Sequence, residues 1–316
     1  MPTYELFAPL SNAHGTFQLL QLGEQFRVER WPRTKVVKLW RQLACLPKFE
    51  IELQAEASHV VHQKKRFAYV VVADISFPEG ELETQWRTKH AEFDRVNNRL
   101  QEQLRLVSLY LNGSVGAVVA YWYATDTKGP YLESGVGNSQ YRNSRPAVLS
   151  KYNYVPANAF LRKVALPLVP EYVQLAFEHW EESHLATRKN SELLSLVTAL
   201  EALFNAGVQD IRYRIARSVA VLLGENLEIS DNIFDAVRNA YEVRSKLVHT
   251  GKAKELDAIR LFQIHHLVQE AILRCLTLNL PKEELSRQLT RLGFGQGSLV
   301  RANVSVERKT KVKDTS

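Results

Sequence analysis

A change of apolar rhythm near Pro170 limits the fold of this chain more than any other feature. Beyond it, apolar residues recur at threes and fours almost without interruption, the spacing that lines one face of a helix. Val173, Leu175, Ala176, Phe177 and Trp180 begin the pattern. Asn190 offers a cap for a helix through Leu193, Leu196, Val197, Leu200, Leu203 and Phe204 that stops near Gly207. Asp210 can start the next, with Ile211, Ile215, Val219 and Leu222 on one stripe and Gly224 at its end. Ser230 or Asp231 can open a third, through Ile233, Phe234, Val237, Ala240 and Tyr241, which Thr250-Gly251 breaks. A fourth is expected from about Lys254 to Leu280, and Pro281 opens a short last one carrying Leu285, Leu289 and Leu292.

The first half has another texture. Phe67 to Ala73 is a continuous apolar, β-branched run and reads as a buried strand. Glu50 to Gln54 alternates like a half-exposed strand, and Val115 to Tyr123 follows the Asn112-Gly113 turn signal as a further β-rich run. Between them, Phe93, Val96, Leu100, Leu104, Val107 and Leu111 predict a long helix from Glu83. Gly129-Pro130 and the stretch from Gly135 to Pro146 read as loops, and the prolines Pro156, Pro167 and Pro170 as the best linker. The expected class is α+β: a mixed α/β domain over residues 1–165, an all-α bundle over 166–293, and a basic tail over 294–316.

With 45% apolar and 24% charged residues the composition is that of a soluble globular protein, and no apolar run reaches the length of a bilayer span. No partner membrane is expected, and the first residues lack the basic-then-apolar pattern of a secretory signal. Cys45 and Cys275 lie far apart without Cys or His at ligand spacing, so they read as small buried residues, with no metal or cofactor expected. The net charge of +7 favours a polyanionic partner, because Lys and Arg contacts to phosphates release counterions.

The segment that carries chemistry is Tyr241-Glu242-Val243-Arg244-Ser245-Lys246-Leu247-Val248-His249-Thr250-Gly251. Five residues along a regular helix turn a side chain through about 140°, so Arg244 and His249 converge only if the helix ends or bends between them. Gly251 lies where such a break is expected. The plainer reading is a histidine near a helix end and an arginine paired with a carboxylate.

Three blocks in order, Leu200-Glu201-Ala202-Leu203-Phe204, Arg214 to Gly224, and Val243 to His249, together resemble the HEPN family in its Apea-like branch. The resemblance covers roughly the last third of the chain before the tail. It implies a bundle of four to five helices that pairs as a homodimer and cuts RNA without metal. Arg244 and His249 would be catalytic, Ser245, Glu201 and Tyr241 supporting, and Lys246 an RNA contact. A neutral imidazole can take the proton of a ribose 2′-hydroxyl. A guanidinium can hold the scissile phosphate and the charge of the phosphorane. The product would carry a 2′,3′-cyclic phosphate. The resemblance also implies a cytoplasmic effector of antiviral defence or a toxin. Ser245 stands where relatives often have Asn, Asp or His, and this favours the alternative of a catalytically inactive dimerisation or nucleotide/RNA-binding module.

Glu201 sits in an otherwise apolar stripe, where a carboxylate needs a partner; Arg214, Arg217 or Arg244 can supply one. Elsewhere, Lys64-Lys65-Arg66 reads as a solvated turn, and Trp86, Tyr110, Tyr121, Trp122 and Tyr123 as core rather than base-stacking residues. His265 and His266 are adjacent on a helix and point to different sides.

Overall fold

The computed structural model describes residues 3–43, 58–62, 65–76, 82–126, 129–137, 145–205, 210–251 and 257–292. Cys45, Glu50 to Gln54, Lys64 and the tail from Gly293 lie outside them. The chain divides into two compact units, Met1–Leu166 and Pro167–Ser316.

The first unit contains β1 (Thr3–Ser11), β2 (Ala13–Gly15), β3 (Arg27–Pro32), α1 (Arg33–Leu43), β4 (His59–His62), β5 (Lys65–Ser76), α2 (Leu82–Leu111), β6 (Gly116–Ala117), β7 (Val119–Asp126), β8 (Gly129–Gly137), β9 (Ala147–Leu149) and α3 (Tyr154–Lys163). Its main sheet is antiparallel, in the order β3-β5-β1-β7-β8, with β4 added to β5 and β6 to β1; β2 and β9 form a small parallel pair.

The apolar run in β5 is continuous because both faces of the strand are covered. Ala68, Val70 and Val72 join Phe7, Tyr121 and Tyr123 in the core that holds Val36, Trp40 and Leu43 of α1. On α2, Phe93 stacks on Trp122 at 4.8 Å, and the Trp122 indole N–H donates to Asn97 Oδ1 at 3.0 Å. That bond satisfies the one polar atom of a fully buried tryptophan. The aromatics of β7 are therefore core: Tyr121, Trp122 and Tyr123 are all buried. Tyr110 packs on Phe160 at 5.2 Å, and the Trp86 side chain lies outside the described residues.

Three expectations are corrected here. Gly129-Pro130 and Gly135 to Gly137 are no loops but parts of strand β8, paired along its length with β7, and residues 138–144 of the second expected loop lie outside the described ones. β8 is the last strand in the order among the described residues, and edge strands and strand starts are where a sheet admits proline. Pro156 is no linker residue but lies in the first turn of α3, where a helix needs no amide donor. Lys65 and Arg66 do not form a turn; they are the first residues of β5 and pair with His62 and Val61 of β4.

The second unit has only helices as regular elements among its described residues: α4 (Glu171–Leu185), α5 (Lys189–Phe204), α6 (Ile211–Leu223), α7 (Leu227–Thr250), α8 (Ala258–Leu278) and α9 (Lys282–Arg291). α8 touches each of α4 to α7, which is why it is buried on more than one side, from Leu261 to Cys275. Helix starts differ from expectation where the local caps differ. Asn226 Oδ1 accepts from the Ile229 amide at 2.9 Å, so α7 begins before Ser230. Asp257 Oδ1 accepts from the Arg260 amide at 2.9 Å and starts α8. Asp210 precedes α6 but adopts a left-handed conformation (φ 51°) and makes no side-chain cap. Lys189, rather than Asn190, begins α5. Among the described residues, no helix is long and apolar enough to cross a membrane.

Candidate functional site

The C-terminal half of α7 carries the motif. Its inner stripe, Ile233, Val237, Ala240 and Tyr241, is buried, and this fixes which faces remain for chemistry. Arg244 continues from that stripe and stays half-buried, whereas Lys246 and His249 are exposed and Ser245 is intermediate.

Glu201 lies on α5 and finds its partners on α7. Arg244 Nη2 is 3.5 Å from Glu201 Oε1, with the two side chains 28% and 22% exposed. The Tyr241 hydroxyl donates to the same carboxylate oxygen. The guanidinium carbon also lies 5.6 Å from the Tyr241 ring centroid, within cation–π range. Of the three arginines expected as candidates, Arg244 is thus the one paired with Glu201. Burial and then the Glu201 carboxylate push the Tyr241 phenol well above its ordinary value, so it remains a hydrogen-bond donor. The carboxylate sits between a cation and a phenol, and just over a quarter of the Arg244 side chain stays open to solvent.

The backbone corrects the expected geometry at the end of the motif. α7 does not bend between Arg244 and His249 but runs unbroken through Thr250. The break comes at Gly251, whose left-handed conformation (φ 66°) lets its amide donate to Leu247 O at 3.0 Å. This is the ordinary way a glycine closes a helix, and it acts after the histidine, not before it. Within one chain the two side chains therefore leave the helix about 140° apart. The same wheel places Ser245, Lys246 and His249 on neighbouring positions of one exposed face.

Two features of this end were not legible in the sequence. Arg212 Nη1 pairs with Glu242 Oε1 at 3.0 Å, tying the start of α6 to α7; both side chains are well exposed, so the pair contributes at most about 1 kcal/mol. Arg217 turns to the end of α9 instead of Glu201, donating to Leu289 O at 2.9 Å and to Leu292 O at 2.7 Å. Backbone carbonyls leave no mark in a residue string, so only coordinates reveal that partner.

The histidine pair of α8 separates as expected: His265 is 2% exposed and His266 lies on the surface. His265 Nε2 is 3.1 Å from Ser183 Oγ, and the ring packs against Trp180 and His184. Cys275 is fully buried, and burial pushes its thiol up to about 12. Among the described residues, no three His, Cys, Asp or Glu side chains gather in a way that could hold a metal ion.

No protein-family model, curated protein or solved structure matches the chain.

Proposed function

We propose that the protein is a metal-independent endoribonuclease of the HEPN type that acts as a symmetric homodimer. The observation that carries this reading is a partly exposed arginine, Arg244, paired with the Glu201 carboxylate that Tyr241 also bonds, with an exposed imidazole about one and a half turns along the same helix. An arginine fixed in this way is preorganised for a phosphate, since its carboxylate anchor leaves it little freedom to lose on binding.

His249 takes the proton from a ribose 2′-hydroxyl, and the oxygen attacks the adjacent phosphorus. Arg244 holds the phosphate and the charge that builds on its oxygens. Lys246 and Ser245, beside His249 on the exposed face, contact the RNA strand. The 5′-oxygen leaves, taking up the proton that the imidazolium of His249 returns directly or through water, and a 2′,3′-cyclic phosphate remains. Because one continuous helix directs Arg244 and His249 apart, the working site combines the arginine of one protomer with the histidine of its partner across a two-fold axis. The first unit serves sensing or recruitment, and release of the bundle in the cytoplasm makes the protein a toxin or an antiviral effector.

The test is cleavage of single-stranded RNA in EDTA, with the ends of the products identified by mass spectrometry. Cyclic phosphate ends are expected, and Arg244→Ala and His249→Ala each abolish cleavage while the dimer persists in sizing experiments. The unbroken helix through His249 favours a second reading, a catalytically inactive pairing or nucleotide/RNA-binding module. Absence of cleavage by wild-type protein, free or stimulated, together with unchanged growth inhibition by His249→Ala, decides for the module.

A further inference from the structure

Helix α7 carries a further open feature on the face that ends in His249, and the cleavage reading does not use it. At about 100° per residue, Phe234 and Arg238 fall within about 20° of a line drawn along the helix through Ser245, and His249 lies about 40° from it. Tyr213, in the first turn of α6, stands beside that line. Its ring meets Phe234 edge-on, with centroids 5.6 Å apart, and the residue remains 56% exposed. Phe234 is half-buried and braces the ring. The Arg238 guanidinium lies 5.8 Å from the Phe234 centroid and borders the same pair. The carboxylates nearby are each matched by an arginine: Asp235 Oδ1 lies 3.4 Å from Arg238 Nη2, and Glu242 Oε1 3.0 Å from Arg212 Nη1. All four side chains are well exposed, and pairs of this kind are weak, so a phosphate can draw either guanidinium away.

We infer that Tyr213 stacks on a base of the single-stranded RNA whose scissile bond lies at His249, with Arg238 on the backbone of that strand. An exposed ring already braced by a second aromatic has little freedom left to lose when a base settles on it. Phe234 to His249 spans about 22 Å at about 1.5 Å per residue, so the stacked base lies several nucleotides from the cut. Every base has a π-face, so the ring sets the path and the minimum length of the substrate and not its sequence. The arginines at the border favour a polyanion over an apolar protein surface. The inference takes the identity of the strand from the cleavage reading, but stacking itself requires neither Arg244 nor His249.

The experiment is fluorescence anisotropy of the full-length protein with a labelled oligodeoxythymidylate, which lacks the 2′-hydroxyl and so cannot be cut by the proposed mechanism. Wild-type protein is expected to bind it. Tyr213→Ala should weaken binding by about fivefold or more, the loss of one stacked base, and leave the salt slope unchanged because stacking releases no counterion. Tyr213→Phe keeps the ring and should bind as wild type does. Tyr213→Leu keeps an apolar cover on Phe234 without the π-face; it should show the same loss as alanine, and it decides the matter if alanine disturbs folding by circular dichroism. Arg238→Gln should lower the salt slope by about 0.7, one contact on a single strand. On cleavable RNA, Tyr213→Leu should raise KM and leave kcat in place, the mark of a group that holds the strand without touching the reacting atoms. Failure of wild type to bind the oligonucleotide, or equal affinity of wild type and Tyr213→Leu, overturns the inference, whether or not RNA is cleaved. So does a dimer that falls apart in Tyr213→Leu by sedimentation, which would make the face an interface between copies. Loss of binding in Tyr213→Leu without any RNase activity leaves the stacking site standing and sinks only the nuclease.

Discussion

The two units treat their chemically suggestive residues in opposite ways. In the sheet unit, the residues that could stack on bases, Tyr121, Trp122 and Tyr123, are all swallowed by the core. In the helical unit, the motif residues Arg244, Ser245, Lys246 and His249 remain on partly or fully open faces. A strand between two helical layers has no free face, because alternation sends its side chains into one core or the other. A helix at the edge of a bundle buries one stripe and leaves the rest to solvent. An aromatic cluster on a central strand is thus weak evidence of binding, whereas polar residues beside the buried stripe of a helix stay accessible.

That contrast can be broken most directly at the motif. On the proposed mechanism, His249→Ala lowers RNA cleavage by about 10²- to 10⁴-fold, the usual contribution of a positioned general base. Melting by circular dichroism should stay unchanged, since the side chain is exposed. An equal loss of fold and activity would make His249 a structural residue after all. Next in size is the core of the first unit: Trp122→Ala should destabilise that unit by about 3–5 kcal/mol in denaturant titration, as removal of a fully buried aromatic does. A small effect there would mean that the aromatic strand is less enclosed than the contrast requires.

A subtler test concerns Glu201. Glu201→Gln keeps the shape but removes the charge opposite Arg244, so RNA cleavage should fall while dimerisation persists; unchanged cleavage would reduce the pair to a tie between α5 and α7. The Tyr241 phenol adds a pH signature. Its folded value lies above the unfolded one, so the stability it contributes is complete below about pH 10 and is lost as pH rises through the folded value. Tyr241→Phe should flatten that alkaline decline in thermal melts. The smallest expected effect is Asn226→Ala, about 1 kcal/mol from the lost cap on α7.

How much of this was legible in the sequence depends on what encodes it. Apolar periodicity is written in residue types, so the helix through Phe93 and Leu111 and the helices after Pro170 could be read directly. Glycine and proline are breakers by residue type, yet at Gly129, Pro130 and Pro156 an edge strand and a first helical turn accommodate them. Strand β1 at the middle of the sheet is not legible in the sequence, since Tyr4 to Pro9 has no clean alternation when both faces are covered. At the site, the pairing of Glu201 could be anticipated from a carboxylate among apolar neighbours, but the choice of Arg244 over Arg217 could not. That choice rests on where carbonyls fall in space, and the position of the break relative to His249 rests on one amide donating back to Leu247.

The grip of Arg217 on the end of α9 sets a limit on trimming the protein. A chain cut before Lys282 would leave a guanidinium in the bundle stripped of Leu289 O and Leu292 O, and would uncover the apolar seat of Leu285 and Leu289. Such a shortened bundle should clump or be digested by proteases, so the minimal helical fragment must run at least through Leu292.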